Sequence, residues 1–538
     1  MKAKFILLLT ICLLFSFSEN NLVTAQTRNK PLLFFSKDDV TKLKEVNYTN
    51  NFTLNENEFL NIHFTLEKPL IKSLQLLDET LTEDELLQIG SFQLSFIVDG
   101  KIIYVENLHK GAGLKAFKTE QIDHVVRLIT PEQIDFWGWF MWLKFMKIGG
   151  GQDALHTGNH ELTIEIRPYI KQEKLSVGAL LAAGTINVEV PEIQVDQALI
   201  AVQKIAPSSD WIVSNDSFDR HKIEALNRKI AEKRFEDINS IVVIKNNKLL
   251  IEEYFNDAAR ESLHNPRSVG KSIASTMLGI AIEENFISDE DAQLKDFYDL
   301  KSFNNFSIEK ENVTLKSLLT MSSGFVGDDS DYNSLGNEEN MYPTKNWVKF
   351  TLDLPMQDNK DSDFAYFTAG VVVLGDVIHK SVPKGLVSYA NEKLFTPLSI
   401  TNYKWEYTPQ KVGNTAGGIR LRAIDFAKYG QLYKNRGMWN GKQILDKNWV
   451  KKSLAKQVKQ SINSEDYYGY LFWNKTFSVN NKNYEVSYCS GRGGNKIFVF
   501  NDIPFVVVIT SSAYNIPNAH INVDKMMVDY ILPAILKN

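Results

Sequence analysis

Cysteine is nearly missing. The 538 residues carry two, Cys12 and Cys489. Cys12 lies inside an N-terminal apolar run, so a processed chain keeps only Cys489, and burial alone must hold the fold. An excess of one charge is missing too. Lys+Arg number 60 and Asp+Glu 65, a formal net charge of -5. With no Lys/Arg run either, nothing points to nucleic acid. Glycine (29) and proline (15) are scarce for the length, which fits a globular chain. Beyond the N-terminus no stretch is apolar for the roughly 20 residues that spanning a membrane takes. What is there is length: 538 residues exceed one ordinary core, so two domains are expected.

The N-terminus reads as a secretory signal over residues 1–25. Lys2 and Lys4 precede the run "FILLLTICLLF", and "VTA" at Val23–Ala25 offers small residues for cleavage. This places the mature protein in the periplasm or outside the cell, with no stable membrane span.

Residues 30–195 read as a β-rich, sandwich-like domain. "SFQLSFIVDGKIIYVENL" alternates apolar and polar residues about Asp99-Gly100, a hairpin signal, and "NHELTIEIRPYI" and "GTINVEVPEI" alternate again. His156 and His160 are four apart but lack a zinc-protease glutamate, so they read as a solvated loop pair and not as a metal site. The segment Phe136–Met146, "FWGWFMWLKFM", is read as a core element. The sharper alternative is an aromatic platform for glycan, cell-wall or membrane contact.

A polar stretch, "APSSDWIVSNDSFDRHK", reads as a linker into a second domain over residues 205–538. There "SIVVIKNNKLLIEEYF" makes a hairpin about Asn246-Asn247, and "SVGKSIASTMLGIAIEE" has a helical pattern. "KIFVF" and "FVVVIT" return to strands before a closing helix. Strands at both ends with helices between predict an α+β domain, an antiparallel sheet flanked by helices.

The helical pattern opens ambiguously. "GKS" at Gly270–Ser272 ends like a phosphate loop. However, Asn265 stands where the first glycine belongs, and Pro266 lacks an N–H for a phosphate. "SVGK" instead sets Ser268 and Lys271 one helical turn apart. A serine hydroxyl needs a base beside it, and a lysine whose pKa has fallen can be that base. Alone, the four-residue pattern is equally an ordinary helix face.

The surroundings single it out. "RSVGKSIASTMLGIAIEENFI", "VTLKSLLTMSSGF", "FAYFTAGVVVLGDVI", "AGGIRLRAIDFAKYGQLYKNRGMWNGKQIL" and "YCSGRGGNKIFVFNDIPFVVVIT" follow one another over residues 235–515. In that order they resemble the serine β-lactamase-like hydrolases: class C β-lactamases, D-Ala-D-Ala peptidases, related esterases and amidases. The resemblance is strongest to the 6-aminohexanoate-dimer hydrolase branch. It implies a β-lactamase/transpeptidase-like domain with a helical subdomain. Ser268 would be the nucleophile, Lys271 its proton acceptor and Tyr366 the second member of the relay. The strand and turn Ser490, Gly491, Arg492, Gly493, Gly494 and Asn495 would line the substrate. Near Arg492 to Lys496 it would supply the second oxyanion donor beside the Ser268 N–H.

Two departures bear on the substrate. Thr368 stands where the family's tyrosine motif usually has asparagine, at the substrate cleft. Cys489 stands where the third motif has a cation, although Arg492 is near. Both favour an esterase or amidase over a β-lactamase or carboxypeptidase, which bind a substrate carboxylate. Cys489 itself reads as a small packing residue. "DDSDYN" at Asp328–Asn333 lacks the glycine and glutamate of a calcium loop and reads as a polar loop. No cofactor or metal is implied, and the expected partner is a small-molecule or short-peptide substrate. A non-hydrolytic or slowly acylating sensor of peptides or β-lactams on the same fold is the competing expectation.

Overall fold

The computed structural model describes residues 32–39, 46–55, 57–113, 115–131, 137–206, 210–357, 364–461 and 464–536. The expected signal segment and Cys12 lie outside the described residues. The chain divides into two compact units, the first ending at Glu192 and the second beginning at Ile193.

The first unit is β-rich. Tyr48–Thr49, Leu33–Ser36, Leu60–Thr65 and Asp123–Ile129 form one sheet, in that order. Gly90–Val98, Gly158–Lys171 and Ala182–Val190 belong to a second, six-stranded one. Phe35, Ile62 and Phe64 of the first share a buried cluster with Phe96, Ile164 and Ile166 of the second, as period-two alternation demands. The expected hairpin is present. Val98 pairs with Lys101, and Asp99 and Gly100 take φ of 49° and 78°, the paired positive φ of a type I′ turn. The aromatic segment forms the helix Trp137–Lys147, and Phe136 lies outside the described residues. Its Met141, Trp142 and Phe145 are buried, with Phe145 stacked on Phe96 at 4.6 Å, whereas Phe140 is exposed. The histidine pair differs from expectation. Strand alternation turns His160 inward, where Nδ1 lies 2.8 Å from Asp99 Oδ2 and Nε2 lies 2.8 Å from His156 O.

The second unit is built on an eight-stranded antiparallel sheet. Its order is Lys248–Tyr254, Ile238–Lys245, Phe505–Ser511, Asn495–Phe500, Lys482–Gly491 and Trp473–Val479, then two short strands. Successive residues face opposite sides. Ile497 and Val499 join the core with the helices Lys271–Glu283 and Ala423–Lys434. Phe498 and Phe500 join a second core with Arg220–Ala231 and the C-terminal helices. Helices between residues 308 and 390 form the helical part, centred on Thr368–Ser381. The stretch expected as a linker is tied down instead. Trp211 is buried, and Asp210 pairs with Arg422 and Lys428. Its polar composition reflects partners that only folding supplies.

Among the described residues no helix is long and apolar enough to cross a membrane. Among them, too, no three or more His, Cys, Asp or Glu gather as a metal site.

Candidate active site

Ser268 opens the site from a 3-10 turn, Arg267–Gly270, that runs straight into the helix Lys271–Glu283. In a 3-10 turn residues i and i+3 eclipse, so the "SVGK" spacing sets Lys271 above Ser268. The Lys271 ammonium donates to Ser268 Oγ at 2.7 Å and to Ala416 O at 2.8 Å. Lys271 is 1% exposed, whereas Ser268 is only half-buried. Arg267 just before it takes φ 54°, a left-handed conformation that costs a side-chain-bearing residue about 1–2 kcal/mol. Its guanidinium lies over the Tyr514 ring at 4.3 Å, a contact that offsets part of that cost.

Two glycines press on the Ser268 backbone. A Cβ on Gly491 would fall 1.9 Å from Pro266 O and 3.1 Å from Ser268 N. One on Gly417 would fall 2.5 Å from Arg267 O and 3.1 Å from Ser268 N. The end of the strand Lys482–Gly491 thus abuts the serine amide, an approach no side chain would permit.

Tyr366 precedes the helix Thr368–Ser381, and the Lys271 ammonium lies 5.3 Å from its ring centroid. Its ring stacks on Trp473 at 5.4 Å, and Trp473 in turn meets Phe364 and Tyr468. The structure therefore brings Ser268 and Lys271, Tyr366 and Gly491 together from three distant stretches of chain.

The other expected residues divide. Gly493 and Gly494, both at φ 84°, make the turn after Gly491. Asn495 braces that turn, its amide bonded to Arg492 O, Ser511 O and Ser511 N–H. Arg492 is exposed and its Nε donates to Tyr514 O. Thr368, expected at the substrate cleft, is wholly buried, with its N–H on Asp329 Oδ2 at 2.7 Å. As the first residue of a helix it is turned into the protein. Cys489 is buried, donates to Ser272 Oγ at 3.3 Å, and burial pushes its thiol up to about 12, which suits packing and not attack.

Three residues take places at the site that the sequence reading did not give them. Trp473 forms the wall behind Tyr366. Asp329 ties the acidic loop to that tyrosine. Lys496 pairs across the strands with Ser490 and donates to its Oγ at 2.9 Å. Lys496 is 4% exposed, and burial, aided by nearby Lys475, pulls its amine down to about 7. A lysine heading the apolar strand "KIFVF" was the available signal. Aromatic residues as common as these leave none for Trp473.

The β-lactamase family model matches residues 232–523, more than half of the chain. The chain belongs to the β-lactamase family. Membership implies a serine hydrolase acting on esters or amides of small-molecule size. Several solved structures are similar. A Bacillus anthracis protein described provisionally as a 6-aminohexanoate-dimer hydrolase is 21% identical, with a TM-score of 0.47 over 55% of this chain and 80% of its own. An octameric penicillin-binding protein homologue from Pyrococcus abyssi is 19% identical, TM-score 0.44, over 57% and 76%. A D-amino acid amidase from Ochrobactrum anthropi SV3 is 13% identical, TM-score 0.41, over 54% and 91%. None of these likenesses bears on this family member's substrate. No curated protein matches the chain.

Proposed function

We propose that this β-lactamase family member hydrolyses an ester or amide through a covalent acyl-enzyme on Ser268. The observation that carries the reading is Lys271 Nζ 2.7 Å from Ser268 Oγ, where Lys271 acting as the neutral amine takes the hydroxyl proton. Ser268 Oγ attacks the carbonyl carbon, and the carbonyl π electrons move to oxygen. Tyr366 then hands a proton to the departing alcohol or amine as its bond to carbon breaks, and the acyl group stays on Oγ. Water, losing a proton to the same relay, releases the acid and restores the serine. The Ser268 N–H and the Gly491–Arg492 strand end are the candidate oxyanion donors, and removing one such donor typically costs about 10²–10³ in rate.

A linear ester or amide is favoured over a β-lactam or D-alanyl peptide. Cys489 replaces a cation, and the Arg492 guanidinium is engaged by Tyr514 O. The wall of Tyr366, Trp473 and Phe364 suits an apolar group beside the scissile bond. Residues 205–538 would be the catalytic domain and 30–195 an accessory one, in a periplasmic or secreted protein.

A fluorophosphonate probe should label the full chain and fail on Ser268→Ala; equal labelling of both rejects the assignment. Intact-mass measurement with p-nitrophenyl esters and penicillin tests the competing sensor reading. Turnover without a lasting adduct supports hydrolysis, whereas a persistent adduct without turnover supports a sensor.

A further inference from the structure

Asp329 belongs to the loop between the helices Leu315–Leu319 and Glu338–Met341. Its N–H donates to Tyr366 O at 2.8 Å. Its Oδ2 accepts the Thr368 N–H at 2.7 Å, and its Oδ1 accepts the Glu338 N–H at 2.8 Å. One residue therefore grips the backbone on both sides of Phe367, at the Tyr366 carbonyl and the Thr368 amide. The helix Thr368–Ser381 needs such a partner. Its N-cap, Phe367, offers no side-chain cap, and the first N–H groups of a helix have no partner within it. A carboxylate there also faces the positive end of the helix dipole.

The loop is held against this point. The Asn337 amide donates to Asp329 O at 3.3 Å and to Asp331 O at 3.1 Å. A Cβ on Gly327 would sit 2.2 Å from the Phe367 ring, so the loop backbone lies flat on that ring. Burial lifts the Asp329 carboxyl above its ordinary value. The Thr368 contact and the Lys271 charge oppose the lift, and the neighbouring Glu338 adds to it.

We propose that Asp329 is a positioning residue that fixes the backbone around Tyr366, and through it the phenol against Lys271, by capping the tyrosine helix from a remote loop. This rests on the Ser268–Lys271–Tyr366 reading above. Its distinguishing property is that it acts through Tyr366, so its removal should cost nothing once the phenol is gone.

The test is a kinetic double-mutant cycle on the full chain, reading the saturating rate (kinact) and half-saturation (KI) of fluorophosphonate labelling. Asp329→Ala should lower kinact by about 10–100-fold, the cost of a misplaced group, with KI unchanged within about 3-fold. Asp329→Asn, which keeps one acceptor, should fall between it and wild type. Tyr366→Phe should be slow, and Tyr366→Phe/Asp329→Ala no slower than Tyr366→Phe alone. Multiplying effects, a change confined to KI, or wild-type kinact in both Asp329 variants would overturn the proposal. If Asp329→Ala does not fold, the same cycle is read with Asp329→Asn. Ser268→Ala in the same assay separates the two readings. Labelling that is lost in it but unchanged in Asp329→Ala removes this proposal and leaves the nucleophile standing.

Discussion

Lys496 is the residue whose chemistry departs furthest from its place in the sequence. Opening an apolar strand, it is buried against the Tyr488 ring at 4.5 Å, and Ser490 Oγ is its hydrogen-bond acceptor. Burying an ammonium is unfavourable, and the amine responds by falling to about 7 from the usual lysine range. A lysine whose folded pKa is depressed gives its full stability above the unfolded value and loses it as pH falls toward the folded one. Lys496→Met should therefore raise stability at pH 7 by about 1–4 kcal/mol. Its advantage over the wild type should shrink as the pH is raised from 7 to 10. Paired thermal melts across that range check this, and an advantage independent of pH contradicts it. Its cross-strand partner Ser490 adjoins Gly491, and strongly perturbed groups of this kind cluster at functional sites.

Among the elements, the helix Ala423–Lys434 shows how polar residues can anchor a core. Asp425 is fully buried, bonding Arg422 Nε at 2.7 Å and Lys428 Nζ at 2.9 Å. Asp210 bonds the same two cations from the segment leading into the sheet. Asp425→Ala leaves two cations without their innermost partner and should cost about 3–5 kcal/mol in urea unfolding; a loss under about 1 kcal/mol would contradict that. The hairpins needed no such partners. Asn246 and Asn247 take φ of 51° and 62° between the paired residues Lys245 and Lys248. That turn chemistry is local, so it was legible in two letters of sequence. The turn at 492–494 is equally local, but the contact of Gly491 with Ser268 N is not, and no pattern in either segment announces it.

Across the whole molecule, buried histidines set the acid limit. Burial holds His124 and His264 down to about 4. It holds His520 down to about 3, with the nearby Lys496 and Lys475 charges adding to it. A neutral buried histidine binds its proton only in the unfolded chain between its unfolded pKa, near 6.5, and its folded one. Stability is therefore full above about pH 6.5 and falls toward pH 4, by up to about 1.4 kcal/mol per pH unit for each histidine. Melting curves should show both units losing stability over that window, His124 together with His63, which burial also lowers, serving the first and the other two the second. Replacing His124 with Phe, which suits its stack against Phe64 at 4.8 Å, should flatten the acid limb of the first unit alone. An unchanged limb would count against this assignment.

By itself the sequence determined the β-rich first region, the antiparallel sheet with its helices, and the Ser268–Lys271 spacing. Strand alternation, turn residues and helical periodicity act over a few positions and need no distant partner. Tertiary structure alone decided that Asp210, in the polar stretch near the start of the second unit, is anchored by Arg422 and Lys428. It alone turned Thr368 inward while Trp473 took the wall, and set Asp329 at the tyrosine helix and Lys496 behind Ser490. Apart from Lys496 and Ser490, six positions apart on paired strands, those contacts join residues tens to hundreds of positions apart, and their energies come from burial and opposed charge, which exist only once the chain has folded.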